Sequence, residues 1–317
     1  MKPPDVLVLG VGGTLGEAWL SGFLAGAGQQ GGIDFRQSAH FVGTSAGSIV
    51  AARLASGRPP RRPEEAAGLV QQAPPASVSS AARRLSGWPG FRLTVRCRRW
   101  TPCCGPRGRP GRLRGPPFSR CCRWAGYPLM TCARVAALGP RFDGRLRVVA
   151  VAAGTGHRVV FGAPGAPQAD VPDAVAASSA VPGLSARRGS GDRDSGDRDY
   201  VDGGVWSPAN LDIAPVGPGT RVLCLVPTAA LLAGNRIAVR VLARSWQAAI
   251  TVEAAGARRR GARVTIIGPD AGSNAAMGAD LMDASRREQV ARAGFAQGMP
   301  AAASPAGAGL CQDADLP

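Results

Sequence analysis

The stretch Phe41-Val42-Gly43-Thr44-Ser45-Ala46-Gly47 decides how this chain is read. Phe41 and Val42 end a short apolar strand, and Ala46 to Ala55 read as a helix stopped by Pro59 and Pro60. Between them the spacing is G-x-S-x-G. Side chains at Gly43 and Gly47 would crowd a sharp strand-to-helix turn, and the turn pushes the Ser45 hydroxyl into the open. The following helix N-terminus favours negative charge beside it. That is the form of a nucleophile elbow. A plain strand-helix turn produces the same letters in a chain this rich in Ala and Gly, and stands as the alternative.

Working outward, Asp5 to Gly10 reads as a fully buried first strand and runs into a glycine loop, Gly10-Val11-Gly12-Gly13-Thr14-Leu15-Gly16. Glu17 to about Gly28 reads as a helix. Downstream, Leu146 to Val151 and Arg158 to Phe161 form a hairpin around Gly154-Thr155-Gly156. Asp173 to Ala180 reads as a helix, Val222 to Val226 and Val264 to Ile267 as buried strands, and Ala279 to Ala296 as a C-terminal helix. Strands alternating with helices predict a three-layer α/β/α fold on a mostly parallel central sheet. Residues 1–298 are expected to form one domain, and the Ala/Pro/Gly-rich residues 299–317 a disordered tail.

Two further features carry chemistry. Backbone N–H groups of the glycine loop, around Gly12, Gly13 and Thr14, can face an anion and form an oxyanion hole. A dinucleotide loop is the competing reading, but Leu15 stands where its third glycine is needed, and Gly16 comes one place late. The second feature is Asp202, in Tyr200-Val201-Asp202-Gly203-Gly204, where a tight turn can present a carboxylate; a surface Asp-Gly turn is the bland alternative. The chain has two histidines, His40 and His157. His40 lies on the strand entering the elbow and His157 at a hairpin turn, so a Ser-His-Asp triad lacks a well-placed member. A Ser-Asp pair is the simplest hydrolytic arrangement left.

Net charge is +17, and thirteen arginines lie between Arg83 and Arg134. No acidic residue occurs between Glu65 and Asp143, and six of the eight cysteines fall in the same region. None has C-x-x-C spacing, so a zinc site is not indicated. Residues 72–134 show neither helical nor strand periodicity. Reading of GC-rich bacterial coding sequence in a shifted frame is the preferred account. A basic insert touching anionic lipid comes second, and a nucleic-acid arm last. No segment approaches the roughly 18 apolar residues of a membrane span. The expected location is the cytoplasm, with peripheral contact at the inner membrane at most.

In this order, the glycine loop Gly10 to Gly16, the elbow Gly43 to Gly47 and the Asp202-Gly203-Gly204 turn resemble the patatin-like phospholipase family. Asp173 to Gly183, rich in Ala and Ser and ending in Pro-Gly, resembles that family's segment ahead of its aspartate. The likeness covers residues 5–58 and about 145–298. It implies hydrolysis of lipid acyl esters with neither metal nor cofactor, Ser45 as nucleophile, Asp202 as base, and Gly12, Gly13 and Thr14 at the oxyanion hole. Leu15 departs from the Arg or Lys many members carry there. The tandem Asp-rich repeat before Asp202 is a second departure, with Asp199 as a nearby decoy. A catalytically silent relative that binds lipid or a membrane surface is the alternative function.

Overall fold

A computed structural model describes residues 2–67, 141–181, 188–189, 199–228 and 237–303. The readings placed on 72–134 and on the repeat 191–198 lie outside the described residues. The strands are β1 (Val6–Leu9), β2 (His40–Thr44), β3 (Leu146–Ala152), β4 (Arg158–Phe161), β5 (Arg188–Gly189), β6 (Asp199–Asp202), β7 (Arg221–Leu225) and β8 (Arg263–Ile267). The helices are α1 (Gly13–Gly31), α2 (Ala46–Ala55), α3 (Pro63–Ala67), α4 (Val171–Ser178), α5 (Ile237–Arg259), α6 (Ala271–Met277) and α7 (Arg287–Ala303).

One sheet runs β5-β6-β3-β2-β1-β7-β8, with β4 also paired to β3. Strands β3, β2, β1, β7 and β8 are parallel. Strands β4 and β6 run antiparallel to β3. The apolar run of β1 is buried on both faces. Leu7 and Leu9 pack with α1, α2 and α7, whereas Val6 and Val8 pack with Ile250, Ala254 and Ala257 of α5. Period-two alternation thus splits one uniformly apolar strand between two cores. The architecture is a three-layer α/β/α fold, as the alternation of elements predicts.

The register around β3 positions everything that follows. β2 pairs with β3 up to Thr44↔Val149, and β6 pairs with β3 from Ala150↔Asp202 onward. β4 occupies Val148 to Val151 on the remaining edge. Since a strand has two edges, β2 and β6 share one of them. Their ends, Thr44 and Asp202, therefore face neighbouring residues of β3.

Three differences from the sequence reading have local causes. Helix α1 begins at Gly13, so half of the supposed glycine loop is its first turn. The C-terminal helix starts at Arg287, not Ala279. Asp280 and Asp283 instead accept hydrogen bonds from the backbone N–H of Met282 and Ser285, which holds this segment in turns and one short 3₁₀ turn. Helix α7 then continues to Ala303, past the expected start of the tail. Small residues explain that continuation: a Cβ built on Gly298 would lie 2.2 Å from the Phe23 carbonyl oxygen, so α7 lies against the backbone of α1. Helices α5 and α6 had no counterpart in the sequence reading.

A buried charged triad joins α1 to its surroundings. Glu17 accepts from Arg61 at 2.7 Å and from Arg287 at 2.9 Å, and both Glu17 and Arg287 are almost fully buried. Glu17→Gln keeps the shape and removes the charge facing two guanidinium groups. It is expected to lower stability by about 3 kcal/mol, read as a shift of the urea midpoint at unchanged m-value.

Candidate active site

Ser45 sits between β2 and α2 with φ 53 and ψ −121. Only Asn210 shares a positive φ with it among the described non-glycine residues. Such a backbone costs on the order of 1–3 kcal/mol and needs support from its surroundings. Two serines supply it. The Ser45 N–H donates to Ser178 Oγ at 2.9 Å, and that hydroxyl donates to the Val149 carbonyl at 2.6 Å. The Ser45 carbonyl accepts from both the N–H and the hydroxyl of Ser48, at 2.9 and 2.6 Å.

The flanking glycines are required by space. A Cβ on Gly43 would lie 2.5 Å from Ser48 Cα, and one on Gly47 2.0 Å from the Leu9 carbonyl oxygen. Both clashes are with backbone and cannot rotate away, and the second is the tighter. Gly47→Ala is accordingly expected to lose about 3 kcal/mol of stability by chemical denaturation; an unchanged midpoint would refute the packing argument.

Asp202 ends β6, and its N–H donates to the Ala180 carbonyl at 2.9 Å. Its Oδ1 accepts from the Gly204 N–H at 2.7 Å. Burial pushes the Asp202 carboxyl up to about 6, against hydrogen bonds from the Ser45 side chain and the Gly204 N–H that favour its ionised form. The three motifs meet at this point. Gly203 leaves only 3.0 Å between a built Cβ and Thr44 Cγ2, and Gly204 only 2.6 Å to Val11 Cγ1.

Around the glycine motif, the Val11 N–H donates to the Pro208 carbonyl and the Leu15 N–H to the Leu281 carbonyl. Between them, the N–H groups of Gly12, Gly13 and Thr14 find no acceptor among the described residues. Gly12 precedes α1 and Gly13 opens it with φ 61. Three unpaired amides at a helix N-terminus can bind negative charge. The Leu15 side chain is fully buried, so it lies in the core and not in the site.

A model of the patatin-like phospholipase family matches residues 7–215, which enclose the glycine motif, the elbow and the aspartate turn. The chain belongs to the patatin-like phospholipase family. No curated protein matches it. Membership in the patatin-like family points to hydrolysis of lipid acyl groups and to a lipid substrate.

Neither histidine of this patatin-like chain joins Ser45 through the sheet. His40 opens β2, about 13 Å of strand from Thr44. His157 is exposed in the turn between β3 and β4. Among the described residues, no group of three or more His, Cys, Asp or Glu side chains is placed to hold a metal ion. Nor is any described helix long and apolar enough to cross a membrane.

Sequence reasoning passed over three polar residues at the site, two of them buried and one half-buried. Ser178 follows Val171, Ala174 and Val175 at helical spacing, so periodicity alone puts its hydroxyl on the buried face of α4. Asn210 stands between the apolar residues Ala209 and Leu211 and is fully buried. Glu253 of α5 accepts from the Leu211 N–H at 2.9 Å; burial and the nearby Asp212 push its carboxyl up to about 7.

Proposed function

We propose that the chain is a lipid acyl hydrolase working through a Ser45–Asp202 dyad. The observation that carries this reading is the pairing register that ends β2 and β6 side by side on one edge of β3, with Ser45 following Thr44 and the buried Asp202 carboxyl beside it. Asp202, ionised, accepts the proton of the Ser45 hydroxyl as Oγ attacks the ester carbonyl carbon. The carbonyl oxygen becomes an oxyanion and takes hydrogen bonds from the N–H groups of Gly12, Gly13 and Thr14. Collapse breaks the ester bond, and the leaving alcohol takes the proton from Asp202. Water then attacks the acyl-Ser45 ester, giving its proton to Asp202. Release of the fatty acid returns that proton to Ser45.

The raised carboxyl of Asp202 suits this role. A base near 6 is still ionised at neutral pH, yet holds a proton better than an ordinary aspartate. Labelling the protein with a fluorophosphonate and mapping the adduct tests the assignment. The adduct is expected on Ser45; an adduct on another residue, or none, would reject it.

The reading extends to peripheral contact with anionic lipid at the inner face of a membrane. It is supported by the thirteen arginines between Arg83 and Arg134. Binding to vesicles containing anionic phospholipid should weaken as salt rises. Salt-independent binding, or none, would remove this extension without touching the dyad.

A further inference from the structure

Asn210 is fully buried and holds a left-handed backbone, with φ 53 and ψ 39. Glycine meets that geometry at lower cost, although Asn tolerates it better than most residues. What the side chain touches gives the reason for it. Its Nδ2 donates to the Ser207 carbonyl at 2.8 Å, to Thr44 Oγ1 at 3.2 Å and to the Gly203 carbonyl at 3.4 Å. Its Oδ1 accepts from Arg158 Nη1 at 3.2 Å. With three acceptors on one side and a guanidinium on the other, the amide has one sensible orientation.

Thr44 is the residue before Ser45, and Gly203 the residue after Asp202. One amide therefore spans the two chain segments that carry the dyad, though Ser45 and Asp202 lie 157 positions apart in the sequence. The amide is itself held from behind. The Asn210 N–H donates to Ser207 Oγ at 3.1 Å, and the next N–H, of Leu211, to Glu253. Arg158 makes paired bonds to Asp212, both at 2.7 Å, and lies over the Trp206 ring. Arg158, Asp212 and Glu253 are thus the charged groups around the clamp, and they come from β4, the loop after β6 and α5.

We infer that Asn210 is a positioning residue: its buried amide fastens the elbow to the aspartate turn and so sets the Ser45–Asp202 gap across which the proton moves. The inference rests on the dyad reading above. A displaced carboxylate still binds solvent and still exists as a base, but it meets the hydroxyl at the wrong distance. Small errors of that kind slow chemistry more than binding. They also weaken the Ser45 hydrogen bond that favours the ionised carboxylate, so the acid limb of the rate profile moves to higher pH.

Asn210→Gly keeps the left-handed backbone and deletes the clamp. Thr44→Val approaches the same contact from the elbow side and removes one acceptor. Rates per active site come from titration with a fluorophosphonate, so misfolded protein is not counted. Asn210→Gly is expected to lower kcat on a chromogenic ester roughly tenfold per titrated site, with KM within about twofold. Its acid limb, and that of its fluorophosphonate labelling rate, should rise by about half a pH unit or more. Thr44→Val should shift both in the same direction by less, and decides the matter if Asn210→Gly does not fold. Unchanged kcat per titrated site with an unmoved acid limb would overturn the inference and leave Asn210 a turn residue. So would a Thr44→Val variant whose loss of activity is matched entirely by a loss of titrated sites. If the unaltered chain is not labelled at Ser45, the dyad reading fails first and takes this inference with it.

Discussion

Ser45→Ala is expected to cut hydrolysis of a short-chain chromogenic ester by about 10⁴-fold or more, while the protein keeps its fold. The substitution deletes one oxygen. The Ser45 N–H would still donate to Ser178, and the carbonyl would still accept from Ser48. Neither support of the strained turn depends on the hydroxyl. The Cβ remains, so the cost of φ 53 is unchanged to first order. Stability should fall by no more than about 1–2 kcal/mol, the cost of taking one hydroxyl away from the buried Asp202 carboxylate. Parallel assays of ester turnover and urea unfolding separate the two effects. Full activity in the variant would mean that another nucleophile does the work, whatever the elbow looks like.

Asp202→Asn should lose about 10³-fold in kcat and, at pH 8, gain stability. The Asp202 carboxyl stands near 6 in the folded chain against an ordinary value of 3.8. Between those values the folded state holds a proton that the unfolded state has released, so stability falls as pH rises through this window. Below it both states are protonated and nothing is lost. Above it the full penalty, about 3 kcal/mol, is present. Asn cannot ionise, and its oxygen can still accept from Gly204. The variant should therefore exceed the natural chain in stability at pH 8 and match it near pH 4. Glu253, also raised, adds a pH dependence of the same sign to both proteins, so the difference between them isolates Asp202. Activity of the natural chain should climb with pH through about 6, as the base ionises, and level off above. Equal stability of the two proteins at pH 8 would show that burial of this carboxylate costs nothing.

Both effects trace to residues that could be picked out of the sequence. Local patterns were enough for the glycine motif, the elbow and the Asp-Gly-Gly turn, because each rests on a few adjacent residues whose steric demands are local. Gly47 illustrates this: the need for a missing Cβ is written into G-x-S-x-G before any partner is known. Helix ends were less legible. Asp280 and Asp283 look compatible with a helix until their side chains cap nearby N–H groups. Helix α5 went unread, although its face packs with the Val6 and Val8 side of the sheet.

By itself, then, the sequence determined the α/β class, the order of the motifs, and the candidates Ser45 and Asp202, since apolar runs and steric needs at glycine act over a few residues. The tertiary structure decided that β2 and β6 end side by side on one edge of β3. It also decided that Ser178 accepts from the Ser45 N–H, that Asn210 bonds both Thr44 and Gly203, and that α1 reaches back to Gly13. Those outcomes depend on pairing between segments more than a hundred residues apart. Hydrogen-bond register and burial choose such pairings only once the chain has folded.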